Sequence, residues 1–311
     1  MGEKVVVLIG PTAVGKTKMS IELAKRLDGE IINGDSMQVY KGLDIGTAKI
    51  PREEMEGIPH HLLDIKEPHE SFSVAEFQTL ARSLIQQITH RGKLPIIVGG
   101  TGLYIQSVIY DYQFSSAPSN DLYRQSLERC SSIELYEQLK KIDPISAGRI
   151  HPNNVRRVIR ALEIYHCTGK TMTEWLKEQK RQLVYNTALI GLTMEREKLY
   201  ERINKRVDQM IAQGLIEEVK RLHEKGVRDC QAIQAIGYKE LYSYLDGLIT
   251  LEEAIEQMKQ NSRRYAKRQL TWFRNQMPVQ WFDMTDDKMF SIRIDEILRC
   301  IEGKFRLQSN I

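Results

Sequence analysis

Gly10-Pro11-Thr12-Ala13-Val14-Gly15-Lys16-Thr17 has the spacing GxxxxGK[ST], the pattern of a loop that wraps phosphate oxygens. Glycines let successive backbone N–H groups converge on an anion, and a helix starting at the loop adds positive potential. Lys16 supplies a point charge and Thr17 a hydroxyl for Mg²⁺. Such a loop implies phosphate binding, not nucleotide hydrolysis. Hydrolases built on it usually add a carboxylate at the end of a central apolar strand, to hold the metal and organise water. Here the apolar run 94–98 ends in Gly99-Gly100-Thr101-Gly102, so ATP turnover is not expected. The nearby acid is Asp35, followed by Ser36, Met37 and Gln38. At the carboxyl end of a parallel strand it would face the phosphate site and could take a proton from a nucleophile. Taken alone, it reads equally well as a turn or cap residue.

These groups need a sheet to hold them. Residues 5–9 are apolar and β-branched, as in a strand covered on both faces, and 30–33, 94–98 and 187–193 read as further strands. Helix-period residues fill 73–89, and strands alternating with helices predict a mostly parallel sheet. Strand signals stop for some seventy residues after about Tyr112, where 122–130, 133–142, 154–165 and 173–181 look helical. The expected architecture is α/β: a P-loop NTPase-like, mostly parallel sheet flanked by helices (1–113 and 186–311), with an inserted all-helical domain (114–185). Helical patterns resume over 195–224, from 251 onward, and near the C-terminus.

Further stretches carry a resemblance that the loop alone cannot. They are DSMQVYKGLDIGTAK from Asp35, HHLLDI from His60, PIIVGGTGLYIQ from Pro95, RIHPNNVRRVIRALEIY from Arg149, QAIGYKEL from Gln234 and AKRQLTWFRNQ from Ala266. Together with the loop they resemble the tRNA dimethylallyltransferases, the bacterial isopentenyl-tRNA transferases. The resemblance spans nearly the whole chain, up to about Asp283. It implies that residues 10–17 hold dimethylallyl diphosphate, that Asp35 is the general base, and that Thr12 and Arg206 meet the leaving diphosphate. It also implies tRNA contacts at Asp35, Ser36, Met37, Gln38 and Thr101, at Arg124, Arg156, Arg157, Val158, Ile159 and Arg160, and at Gly237, Tyr238 and Lys239. The acceptor would be the adenosine 3′ to the anticodon, in the anticodon stem-loop. Arg202 and Arg206, four apart on one helix face, suit a phosphate clamp or a solvated surface equally.

Composition is ordinary for a globular chain: 41% hydrophobic, 28% charged, net charge +4. No apolar run is long enough to span a bilayer, and no secretory leader opens the chain, so a cytoplasmic, monomeric protein is expected. Cys130, Cys167, Cys230 and Cys300 show no metal or disulfide spacing, and the zinc finger of eukaryotic relatives is missing after Trp281. The adjacent His60 and His61 cannot easily converge on one ion. Lys259, Arg263, Arg264, Lys267, Arg268 and Arg274 form a basic stripe with no acid among them. Arg263 and Arg264 are therefore expected on RNA backbone. Two rival readings share the loop and Asp35: an adenylate isopentenyltransferase acting on free nucleotide, and a small-metabolite kinase.

Overall fold

The apolar run near the N-terminus forms the middle of the sheet. In the computed structural model, which describes residues 2–112, 120–178 and 182–306, Val5 to Ile9 are wholly buried. Each such side chain contributes about 1.5–3 kcal/mol by leaving water. They belong to β1 (Lys4–Ile9), and the other strands are β2 (Gly29–Asn33), β3 (His60–His61), β4 (Leu94–Gly99), β5 (Asn186–Thr193) and β6 (Gln280–Asp283). All pair in parallel, in the order β3-β2-β4-β1-β5-β6. The carboxyl ends of β1 and β4 are therefore neighbours, with that of β2 one place further on, and ligands bind at such an edge.

Helices α1 (Lys16–Arg26), α2 (Val74–His90) and α3 (Gly102–Ile109) belong to this core. So do α9 (Arg196–Ala212), α10 (Leu215–Glu224), α11 (Tyr238–Leu245), α12 (Leu251–Gln276) and α13 (Phe290–Phe305), with α4 to α8 in the intervening insertion. The single helix expected over 195–224 is in fact two, because Gly214 takes φ 98° and starts α10 afresh. β3 and β6 escaped the sequence reading because a two-residue and a four-residue edge strand carry almost no period-2 pattern. No helix among the described residues is long and apolar enough to cross a membrane.

Contacts divide the chain into Met1–Ile109 with Leu183–Ile311, and Tyr110–Gln182. The second unit holds α4 (Asp121–Glu128), α5 (Ser132–Ile142), α6 (Pro144–Ala147), α7 (Val155–Thr168) and α8 (Met172–Glu178). Residues 179–181 of the helix expected at 173–181 lie outside the described residues. Leu127, Leu135, Leu139, Val158, Ile159 and Leu162 make this unit's own core. Val158 and Ile159, expected at RNA, have their side chains enclosed among leucines. Beside them lies Glu163, a buried carboxylate whose Oε2 accepts from Arg160 at 2.7 Å and Arg124 at 3.4 Å. Both arginines therefore offset a buried charge, while Arg156 and Arg157 are exposed.

Candidate functional site

The phosphate loop runs from the end of β1 into α1. Gly10 packs so closely on the Leu192 carbonyl that a Cβ there would sit 2.7 Å from its oxygen. Gly15, at φ 101°, turns the chain into the first turn of α1. Lys16 Nζ donates to the carbonyls of Gly10 at 3.0 Å and Pro11 at 2.8 Å, which keeps it beside the loop. Burial, and then the charge of Arg206, bring its pKa down to about 7, while Asp35 pulls the other way. Arg206, on α9, is itself lowered by burial and raised by Asp35. Lys16, Arg206 and Asp35 therefore sense one another electrostatically. The Thr17 hydroxyl stands exposed at the start of α1.

Asp35 follows β2 and is held from both directions. Its N–H donates to Asn33 Oδ1 at 3.1 Å, and its Oδ1 accepts from Met37 N–H at 2.8 Å. Asn33 Nδ2 in turn donates to the Asp35 and Leu62 carbonyls at 3.2 and 3.1 Å. Thr101 Oγ1 accepts from Ser36 N–H at 3.3 Å, tying the Asp35 turn to the end of β4.

Two cavities, of about 1040 and 460 Å³, open here. Thr12, Asp35, Thr47, Arg206 and Tyr265 line both of them. The larger also takes in Lys16 and Thr17; the smaller takes in Ser36, Met37, Thr101, Lys239 and Arg268. The phosphate loop and Lys16, with Lys18, Arg202 and Lys205, line the first, while Lys239 and Arg268 line the second. Tyr265 was not singled out from the sequence. Burial raises its hydroxyl to about 12, and the charge of Asp35 adds to this. It stays a neutral hydrogen-bonding group at physiological pH.

Several residues expected at RNA or phosphate already have partners within the protein. Tyr238 is fully buried, and its hydroxyl donates to Glu218 at 2.5 Å, so its side chain is not available to RNA. Glu218, buried on α10, also accepts from the N–H groups of Asp44, Ile45 and Gly46 at 3.0, 2.8 and 3.1 Å. This carboxylate pins the segment that brings Thr47 to the cavities. Gln38, which lines the larger cavity, donates through Nε2 to the Thr47 and Ala48 carbonyls of the same segment. Arg202 lines the larger cavity with its helix neighbour Arg206, and it also pairs with Asp287, whose carboxyl it lowers.

The basic stripe is less uncompensated than its sequence suggests. Lys259 bonds Asp208 at 2.8 Å and Glu256 at 3.6 Å, and Arg263 NH1 donates to Asn204 Oδ1 at 2.5 Å. α9 supplies two of these partners. Arg264 remains exposed, and Arg268, one turn further on, lines the smaller cavity. Neither histidine is part of a metal cluster: His60 Nδ1 bonds the Ile58 carbonyl and His61 Nε2 bonds Glu30. Among the described residues, no three His, Cys, Asp or Glu side chains gather to hold an ion.

The family model for IPP transferase matches residues 38–276. The tRNA dimethylallyltransferase of Anoxybacillus flavithermus is 88% identical over 311 residues, all of both chains. That of Bacillus subtilis is 62% identical over 309 residues, 98% of each. Among solved structures, the tRNA isopentenylpyrophosphate transferase of Bacillus halodurans matches at 57% identity and TM-score 0.74, with 98% of both chains covered. A eukaryotic dimethylallyltransferase described as acting on tRNA matches at 35% identity and TM-score 0.86, over 99% of this chain and 81% of that one.

Proposed function

The chain belongs to the IPP transferase family, and from that premise we propose how its site carries out the reaction of a tRNA dimethylallyltransferase. The dimethylallyl group passes from its diphosphate to the exocyclic amine of the adenosine 3′ to the anticodon. The amine lone pair forms the new C–N bond, the allylic C–O bond breaks, and its electron pair leaves with diphosphate. The amine proton goes to Asp35. That lone pair is delocalised into the adenine ring, so a base positioned at bond formation is needed.

The observation that supports this reading most is the set of residues common to both cavities. Thr12, Asp35 and Arg206 stand where a donor held by the loop and an adenine from the smaller cavity would meet. Loop N–H groups, Lys16 and Arg206 stabilise the charge that grows on the leaving oxygen. The adenine has to leave its stack in the anticodon loop to reach Asp35, as with other enzymes that modify a base. Mg²⁺ fits the donor site: the Thr17 hydroxyl is a hard oxygen ligand, and Mg²⁺ draws most of its remaining shell from water and substrate phosphates. Bound there, it offsets charge on the diphosphate. In the helical unit, exposed Arg156 and Arg157 are the residues proposed for tRNA backbone.

The assay is transfer from labelled dimethylallyl diphosphate to unmodified tRNA, run beside AMP as acceptor and beside ATP alone. Label should enter tRNA with stoichiometric release of diphosphate, stop when Mg²⁺ is chelated, and not appear on AMP, while ATP stays intact. Label on AMP at a comparable rate would sink the tRNA assignment. On the acceptor side, Arg264→Ala with Arg268→Ala should raise the KM for tRNA and flatten its salt dependence by up to about two units of slope. The KM for the prenyl donor should not move. An unchanged salt slope would show that this side of α12 does not meet phosphate.

A further inference from the structure

AKRQLTWFRNQ is the most C-terminal of the stretches that carry the resemblance, and its cations, Lys267, Arg268 and Arg274, belong to the basic stripe. Its uncharged residues do something different. Ala266 and Phe273 are fully buried, and Trp272 covers Gly102 so closely that a Cβ there would meet the indole at 2.2 Å. Between them Gln269, also buried, uses both ends of its amide. Oε1 accepts from Thr12 N–H at 3.1 Å, and Nε2 donates to the Gly100 carbonyl at 3.0 Å. An N–H on one side and a carbonyl on the other fix which end of the amide faces which. The approach also requires a glycine at 100, since a Cβ there would lie 2.1 Å from Nε2.

We propose that Gln269 is a positioning residue: it holds Thr12 at the junction of the two cavities, and through Thr12 it sets the geometry of the leaving diphosphate. Two observations make the anchor necessary. Thr12 N–H is already taken by Gln269 Oε1, on the wall of the larger cavity, and so is not among the amides left to wrap phosphate. The next residue, Ala13, has φ 64°, a left-handed conformation that a side-chain-bearing residue keeps only when its surroundings impose it. Gln269 is part of that imposition, and it also links the loop to the end of β4, where Thr101 holds the Asp35 turn.

The inference rests on the role proposed for Thr12, and a double-mutant cycle separates the two. Thr12→Ala, Gln269→Leu and the double variant are compared by kcat and by both KM values, with melting temperature as the control for folding. Gln269→Leu should lower kcat by roughly ten- to a hundredfold, the scale of a small misplacement at a reacting centre, and leave the KM for tRNA within about twofold. The double variant should be hardly worse than Thr12→Ala alone. Gln269→Glu provides the second arm, because its protonated carboxyl can make both bonds. Relative to wild type at the same pH, it should recover much of kcat at low pH and lose it as the carboxyl ionises, while the melting temperature, followed over the same range, stays well above the assay temperature. Additive losses in the cycle, or a Gln269→Leu enzyme with wild-type kcat, overturn the proposal. Wild-type kcat in Thr12→Ala, by contrast, removes the role given to Thr12 itself.

Discussion

Asp35→Asn should give a folded protein that binds tRNA normally and transfers the prenyl group roughly a hundredfold or more slowly. The hydrogen bonds around Asp35 explain why the two effects separate. The turn depends on the Asp35 backbone N–H and on one carboxylate oxygen, Oδ1, which accepts from Met37 N–H. The asparagine carbonyl reproduces that acceptor, so the turn and its tie to Thr101 through Ser36 persist. An amide nitrogen in place of the second oxygen cannot accept the proton of an adenine amine. Single-turnover transfer, read beside tRNA binding at the same salt, makes the comparison. A variant with near wild-type kcat would mean that the proton leaves by another route.

The parts of this site legible in the sequence are those whose chemistry is local. Lys16 and Thr17 sit at fixed offsets from glycines, and Asp35 comes just after Gly34 and the short strand-like stretch Glu30 to Asn33, so a short window contains the whole signal. The parts that were missed are contacts between distant windows. Gln269 lies 257 residues from Thr12, and Glu218 lies 172 to 174 residues from the amides it accepts. No periodicity couples such positions; only the parallel sheet, by ordering β2, β4 and β1 side by side, brings their loops under α10 and α12. Tyr238 shows the reverse case. A tyrosine in a Gly-Tyr-Lys turn looks like an accessible contact, and it took a buried carboxylate twenty residues earlier to enclose it. The stripe on α12 misled in the same way, since the acid that neutralises Lys259 belongs to another helix.

Affinity for the prenyl diphosphate should be flat from about pH 6 to 7 and then weaken, by up to about tenfold per pH unit, as pH rises further. The cause is Lys16. In the free protein burial and Arg206 hold its pKa near 7, so above that pH much of it is an uncharged amine. A diphosphate seated on the loop favours the ammonium form and raises the pKa in the complex. Binding then takes up a proton wherever the pH lies between the free and the bound values, and by linkage each such unit costs about a factor of ten in affinity. Below the free value Lys16 already carries its proton, so the dependence disappears. The donor's own terminal phosphate ionises near pH 6 and contributes little above 7. Arg206, although lowered by burial, starts too high to titrate in this range. Calorimetric titration of the donor into the protein at pH 8, in two buffers of different ionisation enthalpy, should reveal uptake of close to one proton. Lys16→Met should bind the donor more weakly at pH 7 and show neither the uptake nor the slope. Constant affinity from pH 6 to 9 in the wild-type protein, with no proton taken up, would mean that Lys16 keeps its charge in the free protein and that the carbonyls of Gly10 and Pro11 hold an ammonium from the outset.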